Sequence, residues 1–158
     1  MGHIVRLNPR RDRSSIIGGI TISRDGISFS HPVVEKPSLT SRDVISYLDG
    51  MVDENPRLVV VMDNGPIHGR EVREFLRGRG AEVVYLPRYS PDRSPAEGPW
   101  AVLKGGLCSR VYMDFEELGQ DARRFLRSMA GRRDVLLYSV RRCGEPWTSL
   151  LGVTNLGL

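Results

Sequence analysis

Residues 59–68, VVVMDNGPIH, run four apolar side chains into an aspartate, an asparagine and a Gly-Pro turn that ends on a histidine. With the two residues before it, the apolar part (57–62, RLVVVM) has the length of a strand and no helical period. That predicts a strand covered on both faces inside a mixed or parallel sheet. A central strand that stops on a carboxylate puts it in the crevice beyond the carboxyl ends of the strands, where open α/β sheets bind ligands. Asp63 is therefore the first candidate site residue, followed by Asn64 and a turn that lifts His68 to the mouth of the same crevice.

Downstream, REVREFLRGRG (70–80) reads as a helix closed by Gly80, and AEVVYLP (81–87) as a second strand. Strand, helix, strand in that order implies a right-handed crossover between adjacent parallel strands. A loop punctuated by Pro87 and Pro91 follows. Ser94-Pro95 then has the form of an N-cap with proline at the first helical position. The helix it opens contains Glu97, Trp100, Val102, Leu103 and Lys104.

Upstream, SSIIGGITIS (14–23) and ISFSHPVV (27–34) flank an Asp-Gly pair and predict a β-hairpin. Hydroxyls at Ser38, Thr40 and Ser41 offer N-caps to RDVISYLDGMVDEN. Its Val44, Ile45, Leu48, Met51 and Val52 recur at helical spacing, and the helix should end near Asn55-Pro56. Towards the C-terminus FEELGQDARRFLRSMA is amphipathic, with Phe115, Leu118, Ala122, Phe125, Leu126 and Met129 on one side. A short DVLLYSVRRCG segment follows, and 145–158 reads as an irregular tail.

The chain has 158 residues, 40% of them hydrophobic, enough for one core and one expected domain. No apolar run is long enough to span a membrane, and the N-terminus lacks the apolar stretch of a signal peptide. The two cysteines, Cys108 and Cys143, follow no metal spacing. A soluble protein of a reducing cytosol is the expectation. The net charge is +4, and Lys36 and Lys104 are the only lysines among 23 basic residues. Arginine forks match phosphate geometry and favour a nucleic-acid partner, while a solvated arginine-rich surface explains the charge equally well.

Glu97, early in a helix that follows the second strand, is placed to return towards Asp63. Two carboxylates so held can share a hard cation such as Mg²⁺, which takes oxygen ligands. Each residue alone also has a plainer reading. Asp63 serves as a turn former or cap, Glu97 complements the helix dipole, and His68 caps a surface turn.

Taken in order, DNGPIH (63–68), YLPRYSPDRSP (85–95) and AEGPWAVLK (96–104) resemble the catalytic domain of mariner-like DDE transposases, in their bacterial insertion-sequence branch. The shared pattern is an Asp-Asn-x-x-x-His box, a Tyr-Ser-Pro-x-x-x-Pro loop and a Glu-x-x-Trp helix start. The resemblance implies a ribonuclease H-like α/β fold, a mixed sheet flanked by helices. It also implies three carboxylates that bind two Mg²⁺ or Mn²⁺ ions for in-line attack on a phosphodiester. Asp63 matches the second carboxylate and Glu97 the third, with Asn64 and His68 completing the first box. Tyr89, Ser90, Pro91 and Pro95 match the loop that places the last helix, and Trp100 is read as packing that helix on the sheet. Arg70, Arg88, Arg93 and Lys104 flank the acidic boxes and are the candidate phosphate contacts for transposon-end DNA.

The family's first carboxylate lies on the first strand of its sheet, and the only acid before the hairpin here is Asp12, which no apolar strand precedes. The chain therefore reads as a single truncated catalytic domain that lacks its first strand, inactive alone. A homodimer, or pairing with an intact transposase in a bacterial cytosol, is the expected setting. A nucleic-acid-binding remnant without enzymatic activity is the alternative, and an unrelated small α/β domain the third. Gly98, Pro99 and the Gly105-Gly106 pair depart from a good helix and are read as weakening it.

Overall fold

The computed structural model describes residues 15–23, 26–30, 33–34, 38–55 and 57–149. Asp12, Arg24, Asp25 and the tail beyond residue 149 lie outside them. The chain divides into two units, one from Ser38 to Ser94 and the other formed by the segments on either side of it. Each has its own core.

In the first unit, α1 (Ser41–Glu54) starts where the sequence predicts. The Asp43 carboxylate accepts from the Thr40 backbone N–H at 2.9 Å and from its hydroxyl at 2.8 Å, which satisfies a donor the helix leaves orphaned. Asn55 closes it. Val44, Leu48 and Val52, four residues apart, form its buried stripe. Strand β5 (Val59–Met62) is joined through α2 (Arg70–Gly78) to β6 (Glu82–Tyr85), and the two strands pair in parallel with Val60 opposite Val83 and Met62 opposite Tyr85. The end of α2 is set by Gly80 at φ +76°, in the left-handed region that glycine enters without steric cost. The Ala81 N–H then reaches the Leu76 carbonyl at 2.9 Å, the long bond of a Schellman motif. Both residues sit in the core with Val72 and Met62. Fully burying Leu76 stabilises the unit by about 1.5–3 kcal/mol.

The expectation of a strand covered on both faces is corrected. Leu58, Val60, Met62, Val83 and Tyr85 pack into the core with α1 and α2, whereas Val59 is 51% exposed and Val84 42%. The pair carries its helices on one face, so its residues alternate in and out with the period of a strand.

The second unit holds the predicted hairpin. Strands β2 (Gly19–Ser23) and β3 (Gly26–Ser30) pair antiparallel, and the short β1 (Ser15–Ile16) and β4 (Val33–Val34) pair beyond them in the same register. Three helices follow: α3 (Glu97–Cys108), α4 (Phe115–Ala130) and α5 (Arg133–Arg142). The segment left without a type in the sequence, DVLLYSVRRCG, is the body of α5. Phe29 of β3 meets Leu103, Leu126, Met129 and Leu136 in one buried cluster. Trp100 joins it edge-on to Phe29, with ring centroids 5.6 Å apart and planes at 76°. That is the packing role expected of Trp100.

Helix α3 begins two residues later than Ser94-Pro95 suggested, with Ala96 as its N-cap. Pro99 therefore falls at the third helical position, where the N–H has no intrahelical acceptor anyway, and its ring is buried. Gly98 is also corrected from a weakness to a packing device. A Cβ there would lie 2.6 Å from the Ser139 Cβ, so only glycine lets α3 meet α5 at this point. Gly106 likewise leaves room for the Phe125 ring, while Gly105 faces open space.

A candidate active site at the end of β5

The chain leaves β5 at Met62, and Asp63 is the first residue beyond it. Gly65 and Pro66 start a 3-10 turn over Pro66–His68, closed by the His68 N–H on the Gly65 carbonyl at 2.9 Å. Proline suits the start of such a turn because the N–H it lacks would have no partner there. The turn brings His68 Nδ1 to 2.6 Å from Asp63 Oδ1. The same oxygen accepts from the Gly65 N–H at 2.9 Å. A side chain at residue 65 would put its Cβ 2.9 Å from Asp63 Oδ1, so glycine is what allows the carboxylate to fold back over its own turn.

Among the described residues, both hydrogen bonds of the Asp63 carboxylate run to Oδ1. Oδ2 keeps its lone pairs on a side chain that is 69% exposed, while His68 beneath it is 24% exposed. The arrangement orients a carboxylate without using up its second oxygen, which is what an oxygen-coordinated cation requires.

Two further bonds fix this corner to the neighbouring strand. Asn64 Nδ2 donates to the Leu86 carbonyl at 2.6 Å, and the Tyr85 hydroxyl donates to the His68 carbonyl at 2.7 Å. Arg73 of α2 lies over the Tyr85 ring, 5.8 Å from its centroid. Sequence reasoning singled out Asp63, Asn64 and His68, and the structure brings the three together. It missed Tyr85, whose role depends on the parallel register that sets Met62 opposite it. A tyrosine at the end of the strand paired with the Asp63 strand was the available signal.

Glu97 is the exposed first residue of α3 and belongs to the other unit. Among the described residues no group of three or more His, Cys, Asp and Glu side chains is placed to hold one metal ion. Asp63 and Glu97 each carry carboxylate oxygens, the donor class that hard divalent cations take. Of the candidate phosphate contacts, Arg70 is engaged by Glu74 at 2.6 Å. Arg88, Arg93 and Lys104 are exposed. Among the described residues no helix is long and apolar enough to cross a membrane.

A protein-family model described as DDE superfamily endonuclease matches residues 3–119. No curated protein sequence matches the chain. Among solved structures, the chain is similar to the Mos1 transposase catalytic domain with raltegravir and Mn, at a TM-score of 0.62 and 15% identity, covering 92% of this chain and 82% of that one. It is also similar to a pre-cleavage Mos1 transpososome, at 0.63 and 14%, covering 100% of this chain and 49% of that one. The Mos1 mariner paired end complex with Mn gives 0.61 and 15%, with coverages of 99% and 48%. The chain thus spans about half the length of the transposase chains in those DNA complexes. At these identities the likeness shows the fold, that of a mariner transposase catalytic domain, ribonuclease H-like and mixed α/β.

Proposed function

Since the chain belongs to the DDE superfamily of endonucleases, we propose that it is the catalytic portion of a mariner-like transposase from a bacterial insertion sequence, acting on the phosphodiester bonds of transposon-end DNA. The observation that carries this reading is the Asp63 carboxylate, held at the end of β5 with Oδ1 hydrogen-bonded and Oδ2 open. Glu97 would be its partner. Its place as the first residue of α3 leaves the carboxylate free of the helix body. The family model runs through both units, which supports treating them as parts of one catalytic domain.

Asp63 and Glu97 would hold a divalent cation, Mg²⁺ or Mn²⁺, and that cation supplies Lewis-acid charge at the scissile phosphate when bound. The protein's own contribution is orientation. His68 and the Gly65 N–H stop the Asp63 carboxylate from rotating, Asn64 ties the end of β5 to the residue after β6, and Tyr85 fixes the carbonyl of His68. Arg88, Arg93 and Lys104 would neutralise phosphates, which positions a duplex without reading its sequence. Pairing with a second copy or with an intact transposase is the expected setting at transposon ends, and the second reading is a DNA-binding remnant with no cleavage of its own.

Mn²⁺ binding, followed by electron paramagnetic resonance, tests the assignment alongside nicking of supercoiled plasmid. Asp63→Asn keeps the shape and the acceptor for Gly65 and removes the charge. It should lower Mn²⁺ affinity by more than about 100-fold, beyond the 10–100-fold typical of losing an outer-shell partner, with the unfolding midpoint unchanged. Mn²⁺ affinity and nicking that survive both Asp63→Asn and Glu97→Gln would end the catalytic reading. DNA binding without Mn²⁺ binding would select the remnant.

A further inference from the structure

The loop after β6 contains a tyrosine whose surroundings give it no role within the fold. Tyr89 has φ 56°, and among the described residues it is the non-glycine residue in the left-handed region. Turns that need this conformation are normally given glycine or asparagine, because a larger residue brings its Cβ against the backbone. The side chain is also fully exposed, at 100%. A large ring in water on a strained backbone obtains neither burial nor relaxation in return.

The strain is held in place by ordered structure on both sides. Leu86 is hydrogen-bonded to both neighbours of Asp63: its N–H donates to the Met62 carbonyl at 2.9 Å, and its carbonyl accepts from Asn64 Nδ2 at 2.6 Å. Pro87 and Pro91 fix backbone angles two residues to either side of Tyr89. The Arg93 N–H closes on the Ser90 carbonyl and the Ser94 N–H on the Pro91 carbonyl, both at 3.1 Å. The loop root is thus bonded to the residues that flank the candidate catalytic carboxylate, and the exposed Arg88 directly precedes Tyr89 in the chain. Backbone strain retained by the surrounding structure is a feature of ligand clamps and active sites.

We infer that Tyr89 is a stacking platform for a nucleobase, with Arg88 beside it for the adjoining phosphate, and that it seats an unpaired or terminal nucleotide next to the Asp63 corner. A ring can stack only on an exposed base face, and the interior of a duplex offers none, so the ligand is single-stranded or frayed DNA. Stacking tolerates any base because every base has a π-face. The inference rests on the DNA-processing reading above and assigns the Tyr-Ser-Pro loop a contact of its own in addition to placing a helix.

The test measures fluorescence anisotropy of a labelled single-stranded oligonucleotide with the whole chain, and with the same oligonucleotide carrying one abasic nucleotide at successive positions. Tyr89→Gly should weaken binding about 5- to 100-fold, the range reported for losing one base–aromatic stack, and Tyr89→Phe should stay within about twofold of the parent since the hydroxyl is not needed. One abasic position should cost the parent protein the same factor and cost Tyr89→Gly nothing more, the signature of a direct pair. Because glycine relieves the left-handed strain, the midpoint of thermal unfolding of Tyr89→Gly should not fall. Parent-like, salt-sensitive affinity in Tyr89→Gly would overturn the inference and leave the transposase reading standing, as would equal abasic losses in both proteins or a marked fall in thermal stability. No DNA binding even at low ionic strength would overturn both.

Discussion

The corner that carries Asp63 is fixed by hydrogen bonds, while the helix that carries Glu97 is fixed by close packing. Around Asp63 the determining contacts are Oδ1 with the Gly65 N–H and with His68, and the two bonds to Leu86 and from Tyr85. Around Glu97 they are Gly98 against Ser139, Pro99 in the core and Trp100 on Phe29. A hydrogen-bonded corner lets an exposed carboxylate keep one orientation at the surface, at modest net stability per bond. A packed helix start fixes the backbone that bears a carboxylate and leaves its side chain to find its partner. The two acids should therefore respond differently to damage: the first loses geometry before stability, the second loses stability first.

The sharpest way to break that contrast is Gly98→Ala. The added Cβ meets Ser139 backbone-near atoms that cannot rotate away, and overpacking of this kind costs about 3 kcal/mol. Denaturant unfolding should register the loss, and Ser139→Gly placed in the same chain should recover much of it. An unchanged midpoint would mean that α3 and α5 do not meet at this point.

A smaller effect on stability and a larger one on function are expected of Gly65→Ala. The new Cβ displaces Asp63 Oδ1, so the chain should lose about 1 kcal/mol, the value of one exposed hydrogen bond. Mn²⁺ affinity should fall about tenfold, as it does when an outer-shell partner is lost. Calorimetry of unfolding and of Mn²⁺ titration measure the two. If stability falls while Mn²⁺ binding is untouched, the turn is structural and the contrast between the corners disappears.

The smallest effect sharpens the contrast from the packed side. Between α3 and α4 the unit does use hydrogen bonds: Arg110, Tyr112 and Arg124 all converge on Asp121. Burial first, and then the Asp121 charge, raise the Tyr112 phenol above its ordinary pKa of 10.0. The fold favours the neutral phenol, so its contribution is complete below the unfolded value and is lost as pH rises through the folded one. Ultraviolet titration of phenolate absorption, compared with Tyr112→Phe, should show one tyrosine ionising late. Its absence would place Tyr112 in solvent.

Much of the fold was legible in local spacing. The pairing of the two hairpin strands, the stripe of α1 at Val44, Leu48 and Val52, the Gly80 stop of α2 and the apolar side of α4 all follow from neighbours a few residues apart. The start of α3 was misplaced by two residues because Ser94-Pro95 has the form of a cap, although the first helical bond of full span, from the Trp100 N–H, reaches Ala96. The type of α5 was not legible, since its helix is short and Arg132 offers no side-chain cap. The strand 57–62 was expected to be covered twice because a leucine, three consecutive valines and a methionine in and around β5 hide which alternate members face the core.

The sequence by itself determined the order of elements, the strand that ends on Asp63, and the box in which Asn64 and His68 accompany it. Those features depend on spacing along one segment, which chain order preserves. Tertiary structure decided which Asp63 oxygen is engaged, that Tyr85 supports His68, that Gly98 is a contact surface for Ser139, and that Tyr89 stands strained and exposed. The Tyr85 and Gly98 contacts depend on distances between segments remote in sequence, which exist only once the β5–β6 register and the packing of α3 on α5 have been formed. The Asp63 oxygen and the Tyr89 backbone depend on the path a turn takes, which residue spacing does not specify.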